Sequence, residues 1–573
     1  MLAQLAVAAI GVLSATSVLA KSPAQDSSVG LQWSFAVPET QPVSRIHGID
    51  LSGVFVDATD RQRFFHGVNV VYKAFPYFPE TRFWDIQYSF NEDDARFLED
   101  LNMNVIRLGV MWPGAEPERG TYNQTYFEVL KDIVEVCQRH GIYVLLDMHQ
   151  DNLSERYCGE GIPLWAANST GAFGGFPLPL TREAWNHKGD HTPSRQQCDE
   201  FNWPDYQGSF AAARAYQNLY DNLNGYADDM AAFWARVATE FKDYPNVLGY
   251  EIINEPLGGD VLSDPRLILE EGYAATKVLE PFYDIIQKEI RKVDQDGLIF
   301  FESVTTDDNY NGFTKTPGGE PYVSKSVLSY HYYWLAPNRH SLERHIQQRI
   351  KNAKRLGNCG LMMTEFDIAI GQPDLLHQLK VADKYLQSWI GWEYKRYIPI
   401  TGYNDSLFII DTGEVHKQNA QFLSRPFAEA VAGRVSLMQY SDNTKTFDLA
   451  YNVVPSTLGQ NTVIRVQKEL HYPDGFHIEL SGPATYINCG NQSNVVLIQT
   501  SATAGDGDEI HVRVLPGNQT DCSNIPVAPP VQKPVERNRP VDLIGLFLFV
   551  LVVVLAMVYF AWKNARRSYI FLA

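Results

Sequence analysis

The chain has 573 residues, with 48 Lys and Arg against 67 Asp and Glu, a formal charge of −19. That balance excludes a basic nucleic-acid surface, which needs clustered cations. Hydrophobic residues at 45% and charged residues at 20% exclude disorder over most of the chain. Residues 1–20 are almost wholly apolar, with Val18-Leu19-Ala20 at the end, and predict a signal peptide.

From about residue 60 to 425, short apolar runs alternate with amphipathic stretches. The runs are 67–71, 105–109, 143–147, 247–254, 298–302, 327–331, 361–365 and 389–394. Helical periodicity falls at 92–101, 126–140, 233–241, 281–293, 344–355 and 375–387. Continuous apolar runs separated by helices imply a parallel sheet buried on both faces. Eight such units predict an α/β chain built as a (β/α)8 TIM barrel, assigned with its lead-in to residues 21–425. Beyond Pro426 the runs become short, β-rich and turn-spaced, at 435–439, 446–451, 462–466, 476–480, 494–499 and 509–514. They predict an all-β sandwich over 426–524.

Residues 525–541 are Pro-rich and read as a stalk. An uncharged run of 20 residues, 543–562, is long enough at ~1.5 Å per residue to cross about 30 Å of hydrocarbon. It predicts a transmembrane helix over 542–562. Lys563, Arg566 and Arg567 then mark a cytoplasmic tail, 563–573, and a single-pass type I topology with the body extracellular or lumenal. The six Cys of an exported chain suggest disulfides, locally Cys158 with Cys198 and Cys489 with Cys522, leaving Cys137 and Cys359 as buried thiols. Sequons at Asn123, Asn152, Asn168, Asn404, Asn491 and Asn518 are consistent with export.

Nearly every barrel run ends in a polar residue: Arg107, Asp147 with His149, Asn254 with Glu255, Glu302, His331 and Glu365. A parallel barrel carries its chemistry at the carboxyl ends of its strands, so these side chains converge there. Asn254-Glu255-Pro256 closes the fourth run and Thr364-Glu365-Phe366 the seventh. Two carboxyls about 5–5.5 Å apart, one protonated and one ionised, are what glycoside hydrolysis with retention needs. Glu302 reads as a supporting group, and Glu251 as a partner for a buried neighbour.

With these residues in this order, residues 60–425 resemble glycoside hydrolase family five. The resemblance makes Glu255 the acid/base and Glu365 the nucleophile. It sets Asn254 on the sugar 2-hydroxyl, Arg107 on Glu365, His331 and Tyr333 on the acid/base and nucleophile, and His149 and Trp392 in the sugar site. Within the family the sequence more closely resembles the endoglycoceramidases. The segments that carry this are Gly67-Val68-Asn69-Val70-Val71-Tyr72-Lys73, Asp147-Met148-His149-Gln150-Asp151 and Arg425-Pro426-Phe427-Ala428. Lys73 and Asp147 join the candidate sugar contacts. This branch implies a glycosphingolipid substrate, cut between oligosaccharide and ceramide, with no metal and no organic cofactor. An insertion over 151–224 carries Leu164, Trp165, Phe173, Phe176, Pro177, Leu178 and Leu180, a candidate ceramide wall. Two other readings stand beside this one: a β-glucanase or β-mannanase of the same family, and a catalytically inactive carbohydrate-binding protein.

Overall fold

A computed structural model describes residues 43–529, except 186–191, 305–310, 334–341, 370–371, 398–405, 410, 491–492 and 519–524. Eight parallel strands close into a barrel in chain order: His66–Val70, Val105–Gly109, Tyr143–Asp147, Val247–Glu251, Ile299–Glu302, Ser326–Tyr332, Gly360–Phe366 and Ser388–Gly391. Closure is through the eighth strand beside the first, with Trp389 opposite His66. Helices such as Gln124–Arg139, Tyr226–Phe241 and Glu280–Val293 cover the outside. Both faces of the strands are therefore buried, which is why the sequence shows apolar runs rather than alternation.

Inside the barrel, side-chain parity separates core from site. Val105, Leu145, Phe300, Val327 and Ile390 fill the amino-terminal end together with Ile46, Ile49, Phe55 and Phe65. Successive inward positions lie two residues apart along a strand. Stepping from those residues by two or four toward the carboxyl end reaches Arg107, Asp147, Glu302, His331 and Trp392. The same inward face is thus apolar below and polar above.

A second core joins two sheets from the carboxyl-terminal part of the chain. One has four strands, in the order Arg434–Ser441, Thr446–Asn452, Glu509–Pro516, Phe476–Ser481. The other has seven, and three come from the amino-terminal lead-in: Ile46–Ile49, Phe55–Asp57 and Gln62–Arg63. These precede Phe427–Val431, Asn461–Arg465, Val495–Thr500 and Ala484–Tyr486 in the sheet order. The lead-in therefore pairs with the β domain and also plugs the barrel floor, instead of belonging to the barrel alone. Buried Arg63 pins this junction, donating to the Glu429 carbonyl at 2.9 Å and to Asp57 at 3.2 Å.

The expected transmembrane helix is corrected. Among the described residues no helix is long and apolar enough to cross a membrane, and the run at 543–562 lies outside them, as do residues 1–20 of the expected signal peptide and 530–541 of the expected stalk. The fold is a barrel with a carboxyl-terminal sheet domain. Cys158 and Cys198 form a disulfide across 40 residues. Cys137 and Cys359 are free and buried. Cys489 is disulfide-bonded, and Cys522 lies outside the described residues.

Candidate active site

Arg107, at the second strand, organises the floor. It is fully buried and its guanidinium is shared among five side chains. Nε donates to Glu251 Oε2 at 2.5 Å, and Nη1 donates to Asn69 Oδ1 at 3.0 Å and Glu365 Oε1 at 2.7 Å. Nη2 donates to Asn254 Oδ1 at 2.8 Å and lies 3.1 Å from Asp147 Oδ1. A buried cation needs such compensation, because desolvation is costly for an unpaired charge. Glu251 is the neutralising partner anticipated for a buried neighbour.

Glu365 ends the seventh strand with its other oxygen accepting the Tyr333 hydroxyl at 2.7 Å. Two charge-assisted hydrogen bonds therefore fix both oxygens of one carboxylate. Burial and the adjacent carboxylates hold the Tyr333 hydroxyl well above its ordinary pKa, so it remains a donor.

Glu255 lies beyond the fourth strand in a left-handed backbone conformation, φ 39°. For a residue other than glycine such geometry costs on the order of 1–3 kcal/mol and is held by its surroundings. Here its N–H donates to Glu302 Oε2 at 2.7 Å, and its carbonyl accepts from Gln150 Nε2 at 3.1 Å. Burial, with Asp151 charge added, raises the Glu255 pKa to about 7. Burial also raises Glu302 well above the usual carboxyl range, with Glu255 and Glu251 adding to it. The His331 Nδ1 sits 2.8 Å from Glu255 Oε1 and 3.5 Å from Glu365 Oε2. Burial depresses His331 to about 4, so it is neutral between them. The facing atoms of Glu255, His331 and Glu365 all lie within 4.8 Å of one another.

The neighbouring wall carries Lys73, His149, Asp151, Glu160 and Trp392. His149 Nδ1 is 2.9 Å from Asp147 Oδ2, and its ring stacks on Trp392 with centroids 5.2 Å apart. Lys73 pairs with Asp151, lies 3.3 Å from Glu160 and sits 4.6 Å over the Trp392 ring. Burial opposes charge on His149, yet hydrogen bonds to Asp147 and Asp151 raise it to about 9. Burial and the Asp151 charge push Glu160 well up, whereas Lys73 and His149 hold Asp151 well down against its burial. The Lys73 ammonium takes the place between these carboxylates that a metal cation would otherwise need. The loop carrying Glu160 lies flat on the end of the third strand. A Cβ on Gly159 would stand 1.7 Å from the Asp151 carbonyl oxygen, and one on Gly161 2.4 Å from that of His149.

All ten candidate residues, Lys73, Arg107, Asp147, His149, Asn254, Glu255, His331, Tyr333, Glu365 and Trp392, gather at this barrel end. Asn254 differs in detail from its expected role. Its Oδ1 is taken by Arg107, and Nδ2 donates to the Gln150 carbonyl at 3.0 Å, leaving one N–H for a ligand. Asn69, Gln150, Asp151 and Glu160 belong to the site although their roles were not read from the sequence. Asn69, Gln150 and Asp151 lay inside segments already singled out. Gly159-Glu160-Gly161 offered only an acid between two glycines beside Cys158. The apolar set of the insertion does not act together. Phe176 is fully buried among Tyr157, Trp185 and Tyr206, and so is core. Trp165 packs on Trp112 at 5.3 Å, and Phe173 remains in solvent.

Comparison with known proteins accords with this geometry. The family described as Cellulase (glycosyl hydrolase family 5) matches residues 65–398, and a glycoside hydrolase family 5 C-terminal domain matches 425–514. An endoglycoceramidase of Hydra vulgaris is 41% identical over 433 residues, 75% of this chain and 82% of the relative. One of Cyanea nozakii is 41% identical over 431 residues, 74% and 84%. The fold is similar to that of endo-glycoceramidase II from a Rhodococcus species, with TM-score 0.63 at 22% identity over 81% of this chain and 99% of that one. Matched across its barrel and its β domain alike, the chain belongs to glycosyl hydrolase family 5.

Proposed function

We infer that the chain is a retaining endo-β-glycosidase that cuts glycosphingolipids between oligosaccharide and ceramide. The observation that carries the mechanism is that one oxygen of Glu255 and one of Glu365 lie within 4.8 Å of each other. Inverting enzymes hold their carboxyls about 6.5–9.5 Å apart to seat a water, whereas a retaining pair stands about 5–5.5 Å apart. Glu365, held by Arg107 and Tyr333, attacks the anomeric carbon. The bond from that carbon to the ceramide oxygen breaks, and Glu255 gives its proton to that oxygen. Water then loses a proton to Glu255, its oxygen bonds the anomeric carbon, and the Glu365 ester is released. His331 holds the acid/base, and the remaining Asn254 N–H faces the sugar. Lys73, His149 and Trp392 form the sugar wall, with Asp147 orienting His149.

The glycolipid substrate is supported by the two endoglycoceramidase relatives, each matched over most of its length. The Cys158–Cys198 disulfide supports an exported, secreted or lumenal enzyme, since such bonds persist in oxidising compartments. The test is product analysis on several glycolipids. Intact oligosaccharide plus free ceramide is expected, and Glu255→Gln and Glu365→Gln each abolish the release with the melting temperature unchanged. Stepwise loss of terminal monosaccharides, or no ceramide, contradicts the reading.

A further inference from the structure

On the loops that follow the third and fourth strands, at the carboxyl end of the barrel, four large apolar side chains stand in solvent. Leu262, Ile268 and Leu269, on the loop that follows Glu255, are 51%, 58% and 73% exposed, and Phe173 of the insertion is 77% exposed. The short helix Arg266–Leu269 turns Leu267 inward and its next two residues outward.

These two loops form one surface. Arg214, on the insertion helix Phe210–Tyr220, donates to Ser263 Oγ at 2.7 Å and pairs with Asp260. The same guanidinium lies 3.8 Å from where a Gly171 Cβ would stand, two residues from Phe173, whose ring is 5.8 Å from that of Phe210. On the other side, the Leu267 carbonyl oxygen lies 3.2 Å from where a Gly258 Cβ would stand. The exposed pair is therefore anchored to the segment just past the acid/base.

Glu255 must touch the leaving-group oxygen, so the leaving group departs on its side of the site. On the loop that follows Glu255 the exposed apolar side chains are flanked by the exposed acids Glu270 and Glu271, and its cations are already held. Arg214 is paired with Asp260, and Arg266 with Asp264 at 2.8 Å while its guanidinium lies over the Tyr273 ring. The chain as a whole carries −19. Such a surface has apolar area to remove from water and little attraction for an anionic headgroup.

We propose that Phe173, Leu262, Ile268 and Leu269 dock the enzyme onto a lipid bilayer whose headgroups carry no net charge. This rests on the glycolipid reading above. Docking sets the exit of the site at lipid depth, so the ceramide chains move between bilayer and protein without full exposure to water. The surface lies outside the sugar-binding and catalytic groups.

The test uses the full chain carrying Leu269→Cys labelled with an environment-sensitive fluorophore; the free thiols Cys137 and Cys359 are buried. Phosphatidylcholine vesicles are expected to shift its emission to the blue. The Ile268→Asp/Leu269→Asp variant is expected to hydrolyse glycolipid in such vesicles at least tenfold more slowly. Its rates on a water-soluble aryl β-lactoside and on detergent-dispersed glycolipid stay within twofold of wild type. No spectral change with vesicles overturns the proposal. So does a change driven by protein concentration alone, which assigns the face to a second copy, or one seen only with phosphatidylserine present. Equal losses on vesicle and detergent substrates also overturn it, because they place the pair in the substrate site. If the wild-type chain leaves detergent-dispersed glycolipid intact, the glycolipid reading fails instead, and the fluorophore still reports docking independently.

Discussion

Replacing Tyr333 by Phe removes one hydroxyl and keeps the ring. That hydroxyl donates to Glu365 Oε2 at 2.7 Å, while Arg107 holds Oε1 at 2.7 Å. A hydrogen bond to a charged group contributes about 1.5–3 kcal/mol. At about 1.4 kcal/mol per factor of ten, its loss slows attack at the anomeric carbon roughly 10- to 150-fold if the bond acts fully in the transition state. Arg107 still holds Oε1, so the nucleophile is misdirected rather than released. The assay is single-turnover release of the phenol from an aryl β-lactoside, with thermal melting as the control. Slow phenol release with little change in melting temperature is expected. A phenol-release rate within twofold of wild type refutes the assigned role of Tyr333. So does a rate loss that tracks a collapse in melting temperature.

Further expectations concern titration. The acid/base must hold its proton to start the reaction, and burial places the Glu255 pKa at about 7. The profile of kcat/KM therefore falls tenfold per pH unit above about 7, and a plateau reaching pH 9 contradicts that assignment. Asp100, buried beside Glu99, is pushed up to about 7, chiefly by burial and then by that neighbouring charge. A carboxyl raised in the folded state favours folding below its unfolded pKa, and that contribution is lost as pH rises through about 7. Asp100→Asn accordingly raises the melting temperature at pH 8 and leaves it nearly unchanged at pH 4. An equal shift at both pH values contradicts the titration.

The barrel was legible because a strand buried on both faces must be apolar along its whole length, so Val105–Gly109 and Tyr143–Asp147 stand out with their ends intact. The site was legible for a related reason. A polar residue on the inward face of such a run, Arg107 or Glu365, is buried and finds its partners only within the site. Partnerships between distant segments were not legible. The strand Gln62–Arg63 pairs with Phe427–Val431, and nothing local in either announces the other. Phe427–Val431 itself was not among the predicted β-rich runs. Glu160 is placed by close packing of Gly159 and Gly161 on residues 149–152, just past the third strand, and Phe176 by three aromatic neighbours from separate parts of the insertion. Composition made Phe176 look like a lipid contact, and packing made it core.

Retention by this route requires Glu365 to become covalently bonded to the sugar. A 2-deoxy-2-fluoro lactoside with a good leaving group slows release of that bond enough to catch it. After digestion and mass spectrometry, the peptide containing Glu365 is predicted to carry the added sugar on that residue, in the wild type and not in Glu365→Gln. Attachment at any other residue contradicts the account.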